Sequence, residues 1–232
     1  MVCAAAAVAA HAETPALTAF GAAGEPPAPW KVEGLPNQTK PYTRFAVVDL
    51  EGKPALRIEA DQSYGNLVHP LAGASAKGLQ LAWRWRVDEP IEQADLRTRG
   101  GDDTAVKVCV FFDMPLDRVP FVERQVLRAA RAKAGEPLPT ASVCYVWDPH
   151  IAAGTALDNA FTRRMRYKVL ESGSASLRHW VAEKRDISAD FLALFGDESQ
   201  DVPPIAAIVV GADADNTHTK SLAYVADIRL EP

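Results

Sequence analysis

The clearest regularity along this chain is an alternation of period two. Leu79, Leu81, Trp83, Trp85 and Val87 interleave with Gln80, Ala82, Arg84, Arg86 and Asp88. Successive side chains of a strand point to opposite faces, so this segment predicts a strand with one face on a core and the other polar. The stretch FAVVDLEGKPALRIEAD sets two apolar runs around Glu51-Gly52-Lys53, the pattern of a hairpin. AVKVCVFFD and ASVCYVWD are rich in β-branched and aromatic residues and read as two more strands. In RRMRYKVL, Met165, Tyr167 and Val169 alternate with Arg164, Arg166 and Lys168, and IAAIVVGAD and SLAYVADIRL complete the series.

Helical spacing is strong in one place. VPFVERQVLRAARAKAG puts Val119, Val122, Val126 and Ala129 on one face, gathers Arg and Lys in its last turns and is followed by Gly135 as a stop. A shorter helical turn is expected at SADFLALFG, with Ser188 as cap and Gly196 as stop. Strands at regular spacing with one inserted α-helix predict an all-β fold, a two-sheet antiparallel β-sandwich of jelly-roll type. The Pro- and Gly-dense stretch GEPPAPWKVEGLPNQTKP marks residues 13–41 as an irregular lead-in pinned by Trp30, with the sandwich running over 42–232.

Composition narrows the function classes. At 232 residues, with 48% hydrophobic and 24% charged residues, the chain suits one globular domain with a sizeable core. A formal charge of −5 gives no reason to expect nucleic acid, which requires a clustered positive footprint. Beyond the first residues no apolar run reaches bilayer-crossing length, so no transmembrane segment is expected. Residues 1–12, MVCAAAAVAAHA, are small and apolar and end in Ala10-His11-Ala12, a signal-peptidase pattern, although the first basic residue is Lys31. They read as a signal-peptide remnant or a disordered terminus, and place the protein in the periplasm or outside the cell. The chain beyond them then holds two cysteines, Cys109 and Cys144, an even count that an oxidising compartment can pair. They fall in successive predicted strands. Were these paired antiparallel with Asp113 near Thr140, the thiols would lie opposite one another within bridging reach.

Familiar catalytic signatures are missing. The chain has no G-x-S-x-G elbow and no S-x-x-K, and His69, His150, His179 and His218 form neither H-x-H nor H-E-x-x-H. Glycoside hydrolysis needs two carboxylates at a set separation in space, which spacing along a β chain does not reveal. Asp102, Asp103, Glu183, Asp213 and Asp215 stay open for it, but no catalytic residue is assigned, because loop-tip carboxylates ordinarily cap turns. Near the C-terminus, DADNTHT offers Asp213, Asp215 and Asn216 as hard oxygen ligands for calcium. The EF-hand pattern is broken, since His218 stands at the sixth position and Tyr224 at the twelfth. An irregular site would draw on Asp102, Asp103 or Asp227, and the competing reading is an Asx-type turn between two strands that requires no cofactor.

Charge on the sheet faces is the other candidate. Arg84 and Arg86 share the polar face of one strand, Lys107 lies on a second, and Arg164, Arg166 and Lys168 lie on a third, with Asp88, Asp113 and Asp148 at strand ends. If these strands are neighbours they form a cationic surface for an acidic polysaccharide, since guanidinium groups grip carboxylates and sulfates in paired hydrogen bonds. Trp147 and Trp180 would supply stacking platforms. The plainer reading is a solvated face laced by Arg–Asp pairs, each worth little.

Several separated motifs occur in order. They are Trp83-x-Trp85-x-Val87; Gly101-Asp102-Asp103 leading into VKVCVFFD; Val143-x-Tyr145-Val146-Trp147; Glu171-Ser172-Gly173; Trp180-x-x-Glu183-x-Arg185-Asp186; Phe195-Gly196; and Asp213-x-Asp215-Asn216-Thr217. With these the chain resembles the bacterial exported DUF3047 family over Phe45 to Leu230. Cys109 and Cys144 depart from it, standing where Tyr or other non-cysteine residues are expected. The resemblance implies a fold like that of sugar-binding jelly rolls and assigns no activity. The sequence thus points to an exported, non-enzymatic glycan-binding sandwich, with a polysaccharide hydrolase or lyase, or an interaction domain without a small ligand, as alternatives.

Overall fold

Leu81, Trp83, Trp85 and Val87 are each at most 1% exposed, so the period-two stretch does bury its apolar face. The computed structural model that shows this describes residues 14–134 and 138–232. The proposed signal segment and Gly135 lie outside the described residues.

Two sheets face each other. The five-stranded sheet has the order β10 (Val181–Asp186), β5 (Gln80–Glu89), β12 (Lys220–Glu231), β3 (Lys53–Asp61), β2 (Arg44–Leu50). The seven-stranded sheet runs β1 (Lys31–Glu33), β4 (Tyr64–Ala74), β11 (Ile205–Asp213), β6 (Thr104–Phe112), β7 (Ala141–Asp148), β9 (Met165–Ser172), β8 (Ala156–Asp158). Helix α1 (Phe121–Ala134) is inserted between β6 and β7, and α2 (Ile187–Phe195) follows β10. The architecture is the expected two-sheet jelly-roll sandwich, with two differences. The β7–β9 pair is parallel, and β1 brings the lead-in segment into the seven-stranded sheet.

Local chemistry accounts for the elements. The hairpin between β2 and β3 turns on Glu51 and Gly52, both with positive φ (59° and 79°), as a tight two-residue turn between right-twisted strands requires. Trp30 pins the lead-in: its ring is buried beside Phe20 and His69, and its Nε1 donates to the Thr18 carbonyl at 2.7 Å. Asp186, rather than Ser188, caps α2 by accepting from the Ala189 amide at 2.9 Å. On α1 the expected apolar face is corrected. Val122 and Val126 are 72% and 65% exposed and Leu127 is the buried residue, because the insertion only leans on the sandwich along one edge.

The seven-stranded sheet is buried on both faces, so its strands read as near-continuous apolar runs. Val106, Val108, Val110, Val143, Tyr145 and Trp147 face the five-stranded sheet. Cys109, Cys144, Val146, Tyr167 and Val169 form a second cluster on the outer face with Leu96 and Ile151. In that cluster Cys109 lies opposite Cys144 and is bridged to it, with the Cα atoms 4.1 Å apart. Met114 N donates to Thr140 Oγ1 where the two strands leave the sheet.

Candidate ligand-binding site

The structure separates the residues that sequence reasoning gathered into a cationic face. Arg84 and Arg86 lie on β5 in one sheet, whereas Lys107 on β6 and Arg166 and Lys168 on β9 lie in the other, so these strands are not neighbours. Nor do the cations stand free. Arg84 Nε pairs with Asp227 at 2.6 Å, and Arg86 holds Asp88 at 2.6 Å and Glu51 at 2.7 Å. Arg164 is buried and binds Glu123 and Glu198, each at 2.6 Å. Arg166, also buried, binds Asp197 at 2.7 Å and Glu198 as well, with its guanidinium 4.2 Å from the Phe195 ring centroid.

The aromatic candidates divide in the same way. Trp147 is a core residue, 3% exposed, and its Nε1 donates to the Gly173 carbonyl, so it offers no platform. Half-buried Trp180 sits 4.9 Å below the Arg84 guanidinium and lines a notch of about 100 Å³ on the five-stranded sheet.

The charged side chains of β9 instead close the open edge of the sandwich against α2. Asp190 of α2 accepts from Tyr145 Oη at 2.9 Å, Lys168 Nζ at 2.6 Å and Arg185 Nε at 2.8 Å. Burial pushes its carboxyl up, but the Arg185 and Lys168 hydrogen bonds outweigh that and hold it below its ordinary value. Glu183, on the neighbouring strand β10, behaves oppositely. Burial and the charge of Glu171 push it up to about 7, against the pull of Arg185. A carboxyl raised in the folded state binds its proton more tightly than the unfolded chain does. Stability therefore falls as pH rises from the unfolded value of about 4.3 towards 7. Glu183→Gln is expected to flatten this slope and to gain about 1 kcal/mol at pH 8, a figure reduced for partial exposure. Urea denaturation at pH 5 and pH 8 checks it, and an unchanged slope in the variant would refute the assignment.

A larger feature lies on the outer face of the seven-stranded sheet. A trough of about 920 Å³ runs beside α1, with Asn66, Val68 and Phe111 on its floor and Leu35, Val126 and Phe161 on its walls. The three wall residues are 48%, 65% and 53% exposed. Its lining carries four cations, Lys31, Arg131, Arg163 and Arg164, against three carboxylates, Glu33, Asp113 and Glu123. The trough is thus close to neutral. Sequence reasoning missed it, and the only sequence trace was the valine pair on α1. At one end Gly211 lets the Asn66 and Lys107 side chains cross β11. A Cβ there would lie 2.2 Å from Asn66 Oδ1 and 2.9 Å from Lys107 Cε.

Beyond that end stands the acidic cluster of DADNTHT. Asp103, Asp213 and Asp215 are buried and present carboxylate oxygens within 4.8 Å of one another. Lys107 Nζ donates to Asp213 at 2.9 Å and lies 5.1 Å from the Tyr64 ring centroid. Lys40 bonds Asp215. Burial opposes the Lys107 charge, but Asp213 and its neighbours raise its pKa and hold it protonated, while burial pushes Asp213 up to about 6 against the pull of Lys107. Asn216 lies beside the cluster, where its amide and its Nδ2 donate to Asp103 Oδ1, each at 3.2 Å.

Among the described residues, no helix is long and apolar enough to cross a membrane. No curated protein matches the chain. Among solved structures it is similar to the xyloglucanase domain of NopAA, a type three effector from Sinorhizobium fredii, in complex with cellobiose. That likeness has 7% identity and a TM-score of 0.46, and covers 87% of this chain and 92% of the other. It is also similar to endoglucanase 3 of Trichoderma harzianum from family GH12, at 9% identity and a TM-score of 0.39, over 88% and 98% of the two chains. The family model described as "Protein of unknown function (DUF3047)" matches residues 28–229, and the chain belongs to that family.

Proposed function

We propose that this protein is an exported glycan-binding module that holds an extended saccharide in the trough on its seven-stranded sheet. The observation that carries the reading is a trough of about 920 Å³ whose walls leave Leu35, Val126 and Phe161 exposed beside polar side chains such as Asn159 and Arg163. Binding sites of this size combine apolar walls with a few polar groups that fix orientation. Pyranose rings suit such walls, because their C–H faces pack on rings like Phe161 while their hydroxyls meet the polar rim. The near balance of charge in the lining favours a neutral glycan over the acidic polysaccharide suggested by the arginine pattern. Two of the three carboxylates in the lining are held by a cation, Glu33 by Lys31 and Glu123 by Arg164, which favours retention over turnover. The Cys109–Cys144 bridge and the Ala10-His11-Ala12 pattern support export.

A glycan array tests this. Phe161→Ala is expected to weaken binding about fivefold, in line with roughly 1 kcal/mol for one stacking ring. Arg84→Ala, on the opposite sheet, should bind like the unmodified protein. Retention of no glycan, or an equal loss in both variants, would refute the trough. Release of new reducing ends would replace the binding module with a hydrolase.

A further inference from the structure

The acidic cluster beyond the trough has an uncompensated charge that the trough reading does not use. Asp102, Asp103, Asp213 and Asp215 are each at most 5% exposed. Two ammonium groups answer these four carboxylates: Lys107, buried against Asp213, and Lys40, whose side chain is 46% exposed and reaches Asp215 from the lead-in segment. Two negative charges are left over in a water-poor environment, where unpaired charge is costly. A second observation is independent of this count. The Oδ1 atom of Asp215 is cut off from solvent and has no hydrogen-bond partner among the described residues. A buried acceptor without a donor forfeits its hydration, and a cation is the partner that satisfies a carboxylate oxygen without needing a proton.

The spacing fits an ion. Oxygens bound to one calcium at about 2.4 Å lie no more than about 4.8 Å apart, even across its coordination sphere. The cluster's oxygens lie within 4.8 Å of one another. Asp215 Oδ1 takes no donor and Asp213 Oδ1 takes only the Thr104 amide, at 3.0 Å, whereas Asp103 already accepts from Asn216 on Oδ1 and from Thr217 on Oδ2 and gives up its longer Asn216 bonds, both at 3.2 Å, to hold the ion.

We propose that Asp103, Asp213 and Asp215 bind one hard divalent cation of calcium's kind, which joins the end of β11 to the segment leading into β6. Lys40 competes with it for Asp215. The ion adds to the Asn216 and Thr217 hydrogen bonds that already join these two segments, so its binding stabilises the folded chain. Calcium is preferred over magnesium because three carboxylates set by an irregular loop do not impose the strict octahedron that magnesium demands.

The test uses the full chain freed of metal by a chelator and then given calcium alone, without any glycan, so that its failure leaves the trough reading standing. Calcium at about a hundred times its dissociation constant is expected to raise the melting temperature by roughly 5 °C or more, reversibly on chelation. Asp215→Asn should abolish the shift. Lys40→Ala, which removes the competing ammonium from an exposed position, should bind calcium several-fold more tightly by calorimetry. Absence of a shift and of binding heat in both the unmodified protein and Lys40→Ala overturns the proposal. So does an Asp215→Asn variant that binds calcium as tightly as the unmodified protein.

Discussion

Lys107→Met is expected to destabilise the protein by about 3–5 kcal/mol at pH 7, the cost of leaving one member of a buried ion pair without its partner. Lys107 is 1% exposed and its Nζ lies 2.9 Å from Asp213, a residue that also feels the charges of Asp103 and Asp102. Methionine keeps most of the volume, so the loss reports charge rather than a cavity. The sign of the pH effect follows. Without the ammonium the Asp213 carboxyl rises further, so the penalty is full above that raised value and shrinks as acid protonates the group. Adding Asp213→Asn should recover a large part of the loss, because no lone buried charge then remains. Urea denaturation at pH 7 and pH 5 measures all three, and a Lys107→Met cost below about 1 kcal/mol would show that the pair bears little on stability.

The second large effect is expected from the double variant Cys109→Ala/Cys144→Ala, at about 3–4 kcal/mol. The bridge closes a loop of sequence separation 35, and in the chain-entropy account a loop of that length contributes nearly 4 kcal/mol by restricting the unfolded chain. Both residues are at most 1% exposed within the outer apolar cluster, so removing the sulfurs also loosens packing there. For a chain of this size the loss corresponds to a drop in melting temperature of about 10 °C. The unmodified protein measured in reductant should melt with the double variant. Equal melting with and without reductant would sink the assignment.

These two sites show where sequence reading reached and where it stopped. The alternation of Leu81, Trp83, Trp85 and Val87 gave the core face directly, because one buried face and one wet face write period two into a strand. The antiparallel register that sets Cys109 against Cys144 was likewise legible, as two neighbouring strands of matched length leave few pairings. In the seven-stranded sheet the same logic fails, because both of its faces are covered. There Lys107, Arg164 and Arg166 look like surface cations in the sequence, yet each is drawn inside by a carboxylate distant along the chain: Asp213, Glu198 and Asp197. Trp147 looks like a platform and is core for the same reason. The trough was illegible because its walls come from the lead-in segment, α1 and the stretch after β8, three pieces that only the tertiary fold brings together. Asp103 could be named as a partner for DADNTHT, but that it joins Asp213 and Asp215 while accepting from Asn216 depended on how the turn after β11 folds back onto the segment before β6.

The bridge also encloses α1, since the whole insertion lies between its two half-cystines. A protease that severs the exposed helix thus yields no separate fragments: both pieces stay covalently tethered, and each is still held in a paired strand. A protein with an exposed helix fenced in this way can be nicked and yet persist as one molecule for as long as its surroundings stay oxidising.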